Sequence, residues 1–225
     1  MTAPIDSCEA ELRALLDAGE LDRAIERTVR AYGPELITWL ESMFDNEADA
    51  YDAFSRMCEE LCRSYTRFDR RCSIRTWCYM LARHAAFHVR AQPRKRNEVP
   101  LSELPSVLGA VSHAWNTTRR AKQHAQSIYA EIRRQLDDDD QALLVLRVDR
   151  DLAWRDIAIV FLGEGASGDE VVRKAAMLRK HFGRVTQRLR ELAARRLRRD
   201  GDEPDADAHL HRHERLLRNA AGSDD

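Results

Sequence analysis

The chain has 225 residues, 33% of them charged, with nine glycines, six prolines and a net charge of −1. That composition suits a soluble helical protein and excludes a collagen-like repeat or disorder throughout. With no run of about 18 apolar residues, no membrane span is predicted.

The first elements read as two short helices, Ala10 to Ala18 and Leu21 to Arg30, either side of Gly19. Pro34 then opens a helix carrying Leu36, Ile37, Leu40 and Phe44, since proline suits a first turn better than a helix interior. After DNEAD a longer helix is predicted from about Ala48 to Tyr65, with Tyr51, Phe54, Cys58, Leu61 and Cys62 on its apolar face. Another begins near Ser73 and ends before Pro93. Together they predict an antiparallel bundle. Pro93, Pro100 and Pro105, with Arg94, Lys95 and Arg96, break the pattern. A linker follows, with a short helix near Trp115, and helix returns from about Gln126 to Arg199. The predicted class is all-α, with two small helical domains joined by a linker. The segments are 1–97, a linker 98–125, 126–199 and a tail 200–225 that is acidic at both ends around HLHRHERLLR. The N-terminal MTAPIDSCEAELRALLD lacks a basic segment followed by an apolar core, so no signal peptide is expected and the chain reads as cytoplasmic.

The small net charge hides a lopsided distribution. Between Val171 and Arg199 basic residues outnumber acidic ones eleven to one, whereas between Glu35 and Asp69 nine acids stand against three arginines. Such asymmetry predicts a polyanion on one face and a basic or polar partner on the other.

Signals for catalysis are weak. GEGASG, Gly163 to Gly168, has the glycines of a phosphate loop, but no strand precedes it and no Gly-Lys-Ser/Thr follows, so it reads as a turn. The acids Asp137 to Asp140 stand before an apolar helix, where carboxylates cap free N–H groups and complement the dipole. Five cysteines are read as reduced thiols. Cys58 and Cys62, with His84 and His88, have spacings that a zinc site could use, but small cysteines filling a helical core fit better. His209, His211 and His213 read as part of a solvated tail. No catalytic residue, cofactor or metal site is expected.

Further on, Leu143 to Val148 predicts one helix, and Leu152 to Ala158 begins another, with Trp154, Ile157, Ala158 and Phe161 at core spacing. A turn leads to a long helix whose apolar stripe is Val171, Ala175, Leu178, Phe182, Val185, Leu189 and Leu192. Its opposite face carries Arg179, Lys180, His181, Arg184, Gln187 and Arg188. Helix, turn and basic second helix predict a helix-turn-helix whose second helix enters the major groove.

The stretch Phe68-Asp69-Arg70-Arg71-Cys72-Ser73-Ile74-Arg75-Thr76-Trp77 resembles region two of bacterial sigma-70-family sigma factors, of the small extracytoplasmic-function (ECF) group. Tyr79, Ala82-Arg83-His84, Arg90 and Arg94 to Arg96 continue the likeness. Asp156-Ile157-Ala158 and Leu178 to Val185 resemble region four. Tyr51, Ser55 and His84 depart from the usual Glu, Gln and Asn, and Gly163 to Lys174 is about ten residues longer than the family's tight turn. The resemblance implies a non-enzymatic factor that binds core RNA polymerase and directs promoter-specific initiation. It implies that Asp49, Asp52, Ser55 and Glu59 meet polymerase. Phe68, Arg70, Arg71, Ser73, Arg75, Tyr79, Arg83 and Arg90 would hold the melted minus-ten element. The basic helix would read the minus-thirty-five element, and an anti-sigma factor is a further conceivable partner. On the helical wheel Arg75, Tyr79, Arg83 and Arg90 share a face expected to be wet, with Trp77, Leu81, Ala85 and His88 toward the core. A stand-alone helix-turn-helix regulator, or a thiol- or zinc-responsive one, is the alternative.

Overall fold

A computed structural model describes residues 3–44, 46–91 and 135–200, and the chain divides into two units, Met1–Gln123 and His124–Asp225. The described residues are helical, with no strand among them. The expected linker, the helix near Trp115, the start of the second domain near Gln126 and the histidine-containing tail lie outside the described residues.

In the first unit α1 spans Ala3–Asp17 and α2 spans Leu21–Met43. Gly19 supplies the left-handed turn between them (φ 71°), as a helix C-terminus favours. The structure corrects the expectation of a break at Pro34, because α2 runs straight through that residue. An interior proline costs about 3 kcal/mol. Against it, Val29, Tyr32, Leu36, Ile37 and Leu40 form one continuous buried face, and each large apolar side chain buried is worth about 1.5–3 kcal/mol. The packing term wins. α3 spans Glu47–Ser64, with Asn46 as N-cap accepting the Asp49 N–H, and a 3₁₀ turn follows over Tyr65–Arg67. α4 spans Ile74–Ala91. Helices α2, α3 and α4 pack on one another, and α1 lies against α2 and α4. Leu12, Leu36, Phe54, Met57, Leu61, Ile74 and Trp77 fill the core between them.

In the second unit α5 spans Asp138–Leu144, where Asp137 caps the helix by accepting the Asp140 N–H. The helix expected through Val148 instead opens at Val145–Asp149 into a π-helical turn, closed by Arg150 N–H to the Val145 carbonyl at 3.0 Å. Arg147 explains the irregularity. Its side chain is 4% exposed, donates to the Leu152 carbonyl at 2.9 Å and lies 5.0 Å over the Trp154 ring. A buried guanidinium needs such partners. α6 spans Trp154–Leu162, Gly163 terminates it at φ 85°, and α7 spans Gly168–Asp200. Trp154, Ile157 and Ala158 pack against Leu178, Phe182, Val185 and Leu189.

Candidate nucleic-acid interface

The loop between Arg67 and Ile74 is built from local polar chemistry. Asp69 accepts the Arg71 N–H at 3.1 Å, and Arg70 takes a left-handed conformation (φ 60°). A non-glycine residue there carries strain of about 1–3 kcal/mol, and the exposed Arg70–Asp17 ion pair at 2.5 Å, worth about 0–1 kcal/mol, offsets only part of it. Ser73 caps α4, its hydroxyl accepting the Thr76 N–H at 3.0 Å. Phe68 is half-buried, its ring 4.9 Å from that of Trp77.

A second cap on α4 comes from far away in sequence. Glu9, on α1 and 8% exposed, accepts the backbone N–H groups of Ile74 at 3.0 Å and Arg75 at 2.9 Å, and the Tyr32 hydroxyl at 2.9 Å. Burial, followed by the nearby Glu9 charge and its hydrogen bond, raises the Tyr32 pKa, so the phenol remains a donor. Helix α1 therefore contacts the loop, through Asp17, and fixes the helix start, through Glu9. Neither role was read from the sequence. The available signal was a carboxylate on the helical face of Cys8 and Leu12.

The expected wet face of α4 is only partly wet. Tyr79 is fully buried, its ring edge-to-face with Trp39 at 5.1 Å. Arg75 is mostly enclosed, making a two-pronged pair with Glu35 at 2.7 and 2.9 Å. Burial opposes its charge, but the Glu35 hydrogen bonds and charge outweigh that and raise its pKa. The expectation that Tyr79 stacks on a base and Arg75 meets phosphate is thus corrected. Both residues hold the bundle together, because α1 and α2 cover the first half of α4. Trp77, Leu81 and Ala85 are buried as expected, whereas His88 is half-buried and hydrogen-bonded to Arg56 at 2.8 Å. Toward the helix end, Arg83 stacks over Phe87 at 4.5 Å, and Arg90 bonds the Met43 carbonyl and lies 5.1 Å over Phe44. Arg70 and Arg71 are exposed.

On α3, Asp52 is exposed, Asp49 and Ser55 are half-exposed, and Glu59 pairs with Arg63 at 3.2 Å. The cysteines Cys58 and Cys78 are buried, and burial pushes both thiols up, as it does Cys62. That disfavours the thiolate which metal binding and redox chemistry need. Among the described residues no group of three or more His, Cys, Asp or Glu could hold a metal ion. No helix among them is long and apolar enough to cross a membrane.

In the second unit the turn after α6 is shorter than Gly163 to Lys174 suggested. Helix α7 begins at Gly168, where the Ser167 N–H and hydroxyl donate to the Glu170 carboxylate, both at 2.8 Å, and the Glu170 N–H returns to the Ser167 hydroxyl at 3.3 Å. This capping box starts the helix at Gly168, just ahead of the stripe that begins at Val171. Arg179, Lys180, Arg184, Gln187 and Arg188 are exposed along α7. Arg179 also lies 5.9 Å over the Trp154 ring, and Gln187 donates to Glu191 at 3.0 Å. His181 is half-buried against Asp140 at 2.5 Å, so it packs α7 to α5 rather than lining the outer face as expected. Val171, Leu178, Phe182, Val185 and Leu189 are buried, with Ala175 and Leu192 half-buried at the edges of the stripe.

The class that this architecture defines is an all-helical protein with two helical units, the second of which carries a row of exposed cations along α7. Residues 28–95 match the family model of Sigma-70 region 2. The matched segment begins within α2 and takes in α3, the loop and α4. The likeness covers under a third of the chain and lies wholly within the first unit. No curated protein and no solved structure matches the chain.

Proposed function

We propose that this chain is a cytoplasmic sigma factor of the ECF group that confers promoter specificity on core RNA polymerase. The observation that carries the reading is the match to sigma-70 region 2 over α2, α3, the capped loop and α4. In this reading Asp49, Asp52, Ser55 and Glu59 on α3 meet polymerase. Phe68, Arg70, Arg71, Ser73, Arg83 and Arg90 hold the melted minus-ten element. Helices α6 and α7 act as a helix-turn-helix on the minus-thirty-five element, with Arg179, Lys180, Arg184, Gln187 and Arg188 toward DNA. The exposed cations of α7 support this assignment, because groove binding needs basic side chains at helical spacing. The domains are a region-two bundle within 1–97 and a region-four unit within 126–199, joined by the linker 98–125. Run-off transcription with core polymerase, across a library of genomic fragments, tests the proposal. The expected result is promoter-specific transcripts that depend on the chain, and transcription indifferent to it would refute the reading.

A further inference from the structure

Phe87 is 42% exposed, and among the described residues of the first unit it is the exposed large apolar side chain. A single surface phenylalanine is ordinary on its own. Its setting is not. It sits on α4, a helix without a single carboxylate, whose cations include Arg83 and Arg90 and whose histidines are His84 and His88. The Arg83 guanidinium lies 4.5 Å from the ring centroid, orienting the ring by a cation–π contact. Arg56 reaches the same part of the helix from α3 through His88. A partly open aromatic ring framed by cations is the pairing that single-stranded nucleic acid uses, the ring meeting a base and the cations meeting phosphate. Tyr79, the ring that the sequence offered for this task, is sealed in the core.

We infer that Phe87 is a base-stacking platform for the melted promoter strand, with Arg83 as the positioning residue behind it. The inference rests on the proposed sigma factor role. It adds a contact about four turns further along α4 than the Phe68 to Ser73 loop, which lengthens the single-stranded track. Arg83 neutralises charge as well as orienting the ring.

The test uses holoenzyme assembled from the full chain and core polymerase. The probe is the single-stranded non-template strand of a promoter found by run-off transcription, carrying 2-aminopurine at successive positions. Phe87→Ala should weaken binding of this strand roughly 5- to 150-fold, the range for loss of one stacked base. Fluorescence quenching at one 2-aminopurine position should disappear with it. Phe87→Trp should retain binding and quenching. Phe87→Leu, which keeps apolar volume but has no ring, should behave like Phe87→Ala, and that separates stacking from packing. Affinity for core polymerase, measured in parallel, should be the same for all three variants. Equal binding of the strand by wild type and Phe87→Ala, or full function of Phe87→Leu, overturns the inference alone. Loss of core binding on substitution also overturns it, by making Phe87 a protein contact. A wild-type holoenzyme that binds no promoter strand overturns the sigma reading with it.

Discussion

Glu9 does three things that a surface glutamate cannot. It satisfies two N–H groups at the start of α4 and the Tyr32 hydroxyl, all from a carboxylate that is 8% exposed. Glu9→Ala should destabilise the first unit by about 3 kcal/mol, since each buried donor left without an acceptor costs about 1–3 kcal/mol. Urea unfolding would measure the loss, and amide exchange at Ile74 and Arg75 should accelerate; unchanged exchange there would contradict the capping role. Arg75 is likewise a residue of the fold. Arg75→Ala leaves Glu35 half-buried without its cation, and is expected to cost about 2 kcal/mol, below the 3–5 found for fully buried pairs. A double-mutant cycle with Glu35→Gln checks it: a coupling near zero would show that the pair does not stabilise the bundle.

At the scale of elements, α2 and α7 each carry a feature that local rules and packing settle differently. In α2 the packed face overrides Pro34, so Pro34→Ala should raise the stability of the first unit, by less than the full cost of about 3 kcal/mol because the surrounding helices have accommodated the proline. A lower urea midpoint for this variant would show instead that the bundle requires the proline's shape. The start of α7 depends on Glu170, whose pKa is lowered first by the Ser167 backbone N–H and then by its hydroxyl. A carboxylate favoured in the folded state gives stability that is complete above its ordinary value of 4.5 and is lost as pH falls through the lower folded value. Amide exchange in the first turn of α7, corrected for intrinsic rates, should therefore gain relative to the middle of α7 as pH drops below 4.5. Glu170→Gln should abolish that dependence.

For the whole molecule, the proposed function divides the work on a polyanion between the two helical units. The exposed cations of α7 should set the salt dependence of duplex binding by holoenzyme. Arg184→Ala and Arg188→Ala should each reduce the slope of log affinity against log salt by about one. Phe87→Ala should leave that slope unchanged, because its loss falls on single strand rather than duplex. Titrations of a duplex promoter between low and physiological salt distinguish the two, and an equal change in slope for all three variants would dissolve the division of labour. In the proposed role, linking the units on one chain would turn two weak contacts into one strong one through effective concentration, provided both sites are reached together.

The sequence by itself determined the helical class, the stripes of α3, α4 and α7 and the region-two likeness. Each of these rests on short-range periodicity or on a contiguous motif. The stripe of Leu178, Phe182, Val185 and Leu189 was legible because residues three and four apart share a helix face whatever surrounds them. What only the tertiary structure decided is which of several candidate faces is covered. The wheel alone put Tyr79 on the face expected to be wet and did not single out Phe87, because helical spacing defines a direction and not a neighbour. Once α1 and α2 pack on the first half of α4, Tyr79 and Arg75 become interior and Phe87 stays open. The same holds for Pro34, for Glu9 and for His181 against Asp140, where partners lie up to 66 positions apart. Contacts at that separation leave no periodic trace in the chain. They are fixed by packing, which rewards a buried face by more than a local preference costs.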